Sequence, residues 1–154
     1  MADTQNNPSM LRPFEVHVES GQQAVRDALQ RFLKALEPLN LDVEEAGTVE
    51  LVLAEVLNNI VEHAYPPASP GGPIDIQCTQ KIDGLSILIK DCGRAMPEGK
   101  LPLGELASFN DELDDLPEGG FGWFLVKDLA RDVTYARVNN ENHLQMRLAL
   151  RLSH

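Results

Sequence analysis

The sequence predicts an α+β domain, with hairpin-linked strands on one side and helices on the other. Two observations carry this. The hydrophobic period switches in the order strand, helix, helix, strand, strand, then, after a long irregular stretch, helix, strand, strand. Neither an internal repeat nor a linker interrupts it, and 154 residues suit one domain with one core.

Residues 14–18 (FEVHV) alternate apolar and polar, as a half-buried strand does. Ser20 and Gly21 open a helix carrying Val25, Leu29, Phe32, Leu33 and Leu36, which Pro38 and Asn40 end. A longer helix is predicted from Val43 to Tyr65, its core stripe Val49, Val52, Leu53, Val56 and Ile60. Pro66, Pro67, Pro70, Gly71, Gly72 and Pro73 terminate it. Strands follow at Ile74–Gln80 and Leu85–Lys90, joined near Asp83–Gly84, a hairpin signal. From Gly93 to Gly119 no period persists, and a loop that long inside a compact domain is usually functional or mobile. A helix at Phe121–Arg131 and strands at Val133–Arg137 and Leu144–Leu152, around the polar turn VNNEN, close the chain. Residues 1–12 are expected to be a disordered tail and 13–154 the single domain.

Hydrophobic residues make up 43% and charged residues 24%, the balance of a soluble globular protein. No apolar run approaches the roughly 20 residues that span a bilayer. The opening MADTQNNPSMLRPF lacks the basic and apolar regions of a secretory signal, so the expected location is cytoplasmic. A net charge of −11 argues against nucleic acid or anionic membrane as direct partners. Cys78 and Cys92, without a CxxC, are expected to be reduced and structural.

Three segments hold the polar chemistry. In AEVLNNIVEHAY (54–65), Glu55, Asn59 and His63 recur every four residues on one helix face, with Glu62 beside them. Asparagine is a mediocre helix former, so two in mid-helix ask for a reason; the segment alone leaves open a solvated face or a site. It contains no HExxH, so a zinc centre is a poor reading. In LIKDCGRAMP (88–97) a strand delivers Asp91, then Gly93 and Pro97, which alone is only a turn. In LPEGGFGWFLVK (116–127), Gly119, Gly120 and Gly122 stand at a helix N-terminus, where open N–H groups and the dipole favour an anion. This is neither a P-loop nor a Rossmann fingerprint.

In this order the three segments resemble the ATPase superfamily shared by DNA gyrase, sensor histidine kinases, heat-shock chaperones and mismatch-repair proteins. Within it, the chain is most similar to the small bacterial anti-sigma factor serine/threonine kinases, over roughly residues 14–152. Glu55–Asn59 resembles the N-box, with His63 where a histidine often follows. Asp91–Cys92–Gly93, closed by Pro97, resembles the first glycine box, and Gly120–Phe121–Gly122 with Leu125–Val126 the second. The resemblance implies the Bergerat ATP-binding fold: a two-layer α/β sandwich whose mixed, mostly antiparallel sheet is covered by helices on one face, with a lid at about 98–119. It implies ATP and Mg²⁺ as cofactors. Asn59 would give its amide oxygen to Mg²⁺, and Glu55 would be the general base. Asp91 would accept from the exocyclic amine of adenine, Gly93 would let the backbone approach the base, and the N–H groups near Gly119, Gly120 and Gly122 would hold phosphate. His63 and Pro97 belong to the same nucleotide site.

The chain departs from the pattern at Ala95, where a further glycine is usual, and at Leu144 and Gln145, where the late strand commonly presents a threonine near adenine. Asn58 is not part of the motif. Residues 101–126 contain no Lys or Arg, while Glu105, Asp111, Glu112, Asp114, Asp115 and Glu118 are acidic. A cation near the γ-phosphate then has to come from Arg94, Lys100, Lys127 or a partner, and slow turnover is expected.

The resemblance thus implies an ATP-dependent protein-serine kinase that sequesters a sigma factor and phosphorylates a serine on an anti-anti-sigma antagonist, regulating transcription by partner switching. The alternative is a nucleotide-binding regulatory module that holds partners without phosphotransfer. A detached histidine-kinase catalytic domain fits less well: there is no room for a phosphoacceptor hairpin, and His17 and His143 lie on predicted strands. Gyrase-like or mismatch-repair roles would need transducer domains beyond this length. A homodimer is expected.

Overall fold

Alternation along FEVHVE turns Val16 and Val18 inward and Glu15, His17 and Glu19 outward, and the same logic organises every strand. The computed structural model describes residues 11–65, 71–96 and 120–150, and for 120–124 the backbone alone. Its elements are β1 (Phe14–Glu19), α1 (Gln22–Ala35), a 3₁₀ turn (Glu37–Leu39), α2 (Val43–Asn59) and a π turn (Ile60–Ala64). Then come β2 (Pro73–Lys81), β3 (Gly84–Asp91), α3 (Gly120–Leu129), β4 (Arg131–Val138) and β5 (Glu141–Ala149). The described strands form one five-stranded sheet, ordered β1-β2-β3-β5-β4, with every pairing antiparallel.

The core lies between one sheet face and the helices. Val25, Ala28 and Phe32 of α1 and Val49, Val52, Leu53, Val56 and Leu57 of α2 meet Ile74, Ile76, Ile87, Ile89, Leu144, Met146 and Leu148 of the sheet. The predicted α2 stripe, with Ile60, is buried throughout. A capping box starts α2: Glu45 N–H donates to Asp42 Oδ1 at 2.7 Å, and Asp42 N–H to Glu45 Oε1 at 3.3 Å.

Element ends differ most from the sequence reading in three places. The helix predicted to Tyr65 keeps α geometry only to Asn59 and then widens to an i→i+5 step, with Tyr65 N–H bonded to Ile60 O at 3.0 Å. The helix predicted to Arg131 ends at Leu129, because Arg131 already pairs with Arg147 in the sheet; a bulge follows between Arg131 and Thr134, with Asp132 at φ 52°. The last strand starts at Glu141, not Leu144, and ends at Ala149, not Leu152. Asn139 and Asn140, at φ 51° and 66°, make the whole turn by themselves, which frees Glu141 and Asn142 to enter the ladder. The first ten residues of the expected tail, the expected lid (98–119), Pro97 and Gly119 lie outside the described residues.

Candidate functional site

Asn59 is the last α-helical residue of α2 and is only 8% exposed, so the face it shares with Glu55 is not simply a solvated one. Its Nδ2 donates to the Glu55 carbonyl at 2.8 Å, one turn back. With the nitrogen held by its own helix, Oδ1 is the end left for another ligand. Glu55 is half-buried, whereas Asn58, Glu62 and His63 are exposed. His63 Nε2 lies 3.9 Å from Glu62 Oε1. The His63 carbonyl, one of those left unpaired where the helix ends, accepts from Arg94 Nε and Nη2 at 3.3 and 3.1 Å.

At the sheet end, Asp91 closes β3 on the core-facing phase, in the row Leu85, Ile87, Ile89, Asp91. It is 5% exposed, and its Oδ1 accepts from Gly93 N–H and Asn142 Nδ2, each at 2.8 Å. Burial raises its pKa above the usual carboxylate value, opposed by those two hydrogen bonds and by the charge of Arg137. Asn142, also 5% exposed, stands opposite Asp91 in the β3–β5 register. Its Nδ2 donates as well to the Arg94 carbonyl at 2.8 Å, and its Oδ1 accepts from Tyr135 Oη and from Arg137 Nη1 at 3.0 Å. Tyr135 Oη in turn accepts from Met96 N–H at 3.0 Å, and Arg137 Nη1 donates to the Gly93 carbonyl at 2.7 Å.

The loop after Asp91 is held from the helix side too. Tyr65 Oη accepts from Cys92 N–H at 2.7 Å and donates to the Pro73 carbonyl at 2.8 Å; burial pushes this phenol up to about 12, so it stays a neutral donor. Arg94 N–H bonds to the Ala64 carbonyl at 3.0 Å. Gly93 packs so tightly on the helix end that a Cβ there would lie 2.4 Å from Ala64 O. The turn carrying Asp91 and the helix end following Asn59 are therefore one stitched unit.

Of the residues nominated from sequence, Asp91 and Gly93 thus meet the segment that carries Asn59 and His63. Gly120 and Gly122 fall in the first turn of α3, which packs against α2. Arg94, a candidate cation for phosphate, has its guanidinium on the His63 carbonyl, and Lys127 is exposed in the last turn of α3. Leu144 is a core residue opposite Ile89, and Gln145 Nε2 donates to Ser86 Oγ at 2.7 Å; the residue beside Asp91 is Asn142. Asn142, Tyr135, Arg137 and Tyr65 were not nominated. Asn142 left a signal, a polar residue on the buried phase of Asn142, Leu144, Met146, Leu148. Cys78 and Cys92 are unpaired, as expected, and burial pushes the Cys78 thiol up to about 12.

Among the described residues no three His, Cys, Asp or Glu side chains gather as a metal site. A single neutral amide oxygen fits a hard cation that takes its remaining ligands from phosphate and water, as Mg²⁺ does. A buried carboxylate with one oxygen committed to the protein fits a ligand N–H at the other. No helix among the described residues is long and apolar enough to cross a membrane.

Residues 18–148 match the family described as histidine kinase-like ATPase domain. The chain is similar to the serine/threonine-protein kinase BtrW of Bordetella bronchiseptica, 33% identical over 99 residues, 64% of this chain and 67% of that one. To the serine-protein kinase RsbW of Staphylococcus epidermidis it is 32% identical over 95 residues, 60% and 57% of the two chains. To the sensor histidine kinase PdtaS of Mycobacterium tuberculosis it is 30% identical over 59 residues, 38% of this chain and only 12% of the relative. The match thus spans little of the sensor kinase and somewhat over half of the staphylococcal protein.

Proposed function

The chain belongs to the histidine kinase-like ATPase domain family, and from that premise we propose that it is an ATP-dependent protein-serine kinase of the anti-sigma type. It would act as one domain over residues 13–154, with a tail at 1–12 and a lid at 98–119. It would hold a sigma factor, phosphorylate a serine on an anti-anti-sigma antagonist, and work in the cytoplasm as a homodimer. The fold is the Bergerat ATP-binding fold, and the family implies ATP binding. What supports the reading most is one juxtaposition: a buried Asp91 with one oxygen committed to the protein, docked through Gly93 on the helix end that follows Asn59.

In this reading Asp91 accepts the exocyclic amine of adenine through Oδ2. Asn59 directs Oδ1 at the cation, because its Nδ2 is fixed on the Glu55 carbonyl. Bound MgATP supplies the transferable phosphoryl group and neutralises part of its charge. Glu55, one turn from Asn59, takes the proton from the incoming serine hydroxyl. Backbone N–H groups of Gly119, Gly120 and Gly122 would hold phosphate. His63 and Pro97 border the same site. New phosphate on the antagonist would hinder its rebinding by charge and bulk. A binding module without transfer is the second reading, favoured by the engagement of Arg94 with the His63 carbonyl rather than with a ligand.

The deciding experiment is a calorimetric titration with ATP, with and without Mg²⁺, on the wild type and on Asn59→Ala. Micromolar, magnesium-dependent binding that the variant loses is expected. Absence of wild-type binding at near-millimolar ATP would overturn the nucleotide assignment.

Asp91 yields a second prediction with opposite effects on affinity and stability. Its folded pKa is raised, so its contribution to the fold is greatest below the unfolded pKa of about 4 and is lost as pH rises through the folded value. Where it is ionised, the carboxylate therefore weighs against the nucleotide-free fold. Asp91→Asn is expected to raise the Tm at pH 7, with the gain shrinking towards pH 4, and to weaken ATP binding roughly ten-fold or more. Thermal melts across pH and the same titration check both arms. Unchanged ATP affinity would remove Asp91 from the adenine role.

A further inference from the structure

We propose that Asn142 is a positioning residue that fixes which oxygen Asp91 presents to the base, and that Tyr135 and Arg137 lock it in that orientation, making the pocket selective for a base with an exocyclic amine. The inference rests on the assignment of Asp91 to adenine and adds to it the residues that give the carboxylate its direction.

A carboxylate offers two oxygens and about four lone-pair directions, and its terminal torsion is broad. Left to itself it would swivel and accept whatever donor came near. Here Oδ1 has two donors, Gly93 N–H and Asn142 Nδ2, each at 2.8 Å. That leaves Oδ2 as the oxygen for a ligand. The Gly93 bond alone is a local turn within the same loop and moves when the loop moves. The Asn142 bond comes from a different strand and anchors Asp91 to the sheet.

An asparagine can do this only if its own amide does not flip. The Asn142 nitrogen faces two acceptors, Asp91 Oδ1 and the Arg94 carbonyl, both at 2.8 Å. Its oxygen faces two donors, Tyr135 Oη and Arg137 Nη1. Turning the amide over would set N–H against the Arg137 N–H on one side and oxygen against two oxygens on the other, and only the Tyr135 hydroxyl could turn to accept. Three of the four contacts would become repulsive, and the one to Asp91 is buried away from water that could repair it. Polarity therefore runs one way, from Tyr135 and Arg137 through Asn142 to Asp91. Tyr135 and Arg137 also hold Met96 N–H and the Gly93 carbonyl, so the loop and the carboxylate are set by the same two side chains.

The consequence is an edge that only accepts. Adenosine brings an amine to it; inosine brings a carbonyl oxygen and is repelled. The test is the ratio of Kd for ITP to Kd for ATP, measured with Mg²⁺ on the full chain, its Asn142→Asp variant and its Tyr135→Phe variant. Asn142→Asp keeps the shape and replaces the amide donor by a second carboxyl beside Asp91, so it also changes the charge of the pair. Tyr135→Phe removes one oxygen, bonded to Asn142 and to Met96 N–H, from a half-buried ring, and its fold is checked by a thermal melt. The wild type is expected to favour ATP about ten-fold or more, the worth of one charge-assisted hydrogen bond. Both variants are expected to lower that ratio several-fold, chiefly by weakening ATP. A purely structural role would weaken both nucleotides alike, and a folded Tyr135→Phe protein with the wild-type ratio would overturn the inference while leaving Asp91 as the base reader. A wild type indifferent between ATP and ITP would overturn the inference together with the adenine assignment beneath it.

Discussion

Glu55→Gln is expected to bind MgATP as tightly as the wild type and to transfer phosphate to a serine-bearing antagonist 10²- to 10⁴-fold more slowly, the usual worth of a positioned general base, about 3–5 kcal/mol of barrier. Binding should survive because the link from this residue to Asn59 runs through its backbone: Asn59 Nδ2 donates to the Glu55 carbonyl, which the substitution leaves in place. Glutamine has nearly the same shape, and Glu55 is only half-buried, so little packing changes. The wild type should itself be slow, at or below the lower end of about 1–100 s⁻¹ for kinases. The stretch 101–126 brings no Lys or Arg, and Arg94 is engaged with His63. Single-turnover transfer of labelled phosphate, read beside calorimetric affinity, checks both statements. Undiminished transfer by the variant would take the base role from Glu55. A wild type that binds ATP and never transfers it would make the protein a nucleotide-gated partner-binding module.

Much of this was legible in the sequence, for reasons that also explain what was not. Period and turn chemistry are local, so the α2 stripe, a hairpin near Asp83–Gly84 and a polar turn within VNNEN could be read from neighbours along the chain. Glu55, Asn59, Asp91 and Gly93 were nominated because short motifs hold them at fixed spacing. Asn142 is 51 residues from Asp91 and acquires meaning only from the β3–β5 register. Its place on the buried phase of β5 was visible, but the run VNNEN looked polar throughout, and the strand start was set three residues late. Tyr135 and Arg137 lie on alternate positions of β4 and look like ordinary strand residues until Met96 and Gly93 are folded onto them. Tyr65 read only as the end of a helix, whereas its hydroxyl is bonded to Cys92 N–H beyond the i→i+5 step. A helical period of 3.6 cannot announce a single wider turn, nor that the carbonyls left at the helix end, His63 and Ala64, are the ones Arg94 takes up.

Gly93→Ala is expected to be the most damaging one-carbon change in the described part of the site. Its φ lies outside the left-handed region, so what glycine provides here is space. The added Cβ would stand 2.4 Å from Ala64 O, 2.6 Å from Ala64 Cβ and 2.7 Å from Ala64 C. These are backbone and Cβ atoms at a helix end, with no flexible side chain to swing aside. The loop must move off the helix, which breaks the Arg94 N–H bond to Ala64 O and pulls Gly93 N–H from Asp91 Oδ1. Overpacking of this kind costs about 1–3 kcal/mol, and each hydrogen bond lost adds about 1. At about 2–4 °C per kcal/mol for a domain of this size, the Tm should fall by roughly 6–20 °C. ATP affinity should fall at least ten-fold even at temperatures where the variant is folded, because Asp91 loses one of its two anchors. Adding Ala64→Gly would relieve the contact with Cβ but leave the carbonyl at 2.4 Å, so the double variant should recover only part of the Tm. Full recovery would mean that the side chain of Ala64, rather than its backbone, sets the limit at residue 93. A Gly93→Ala protein with wild-type Tm and affinity would show that the loop and the helix end are not stitched as one unit, and the juxtaposition that supports the nucleotide site would fall with it.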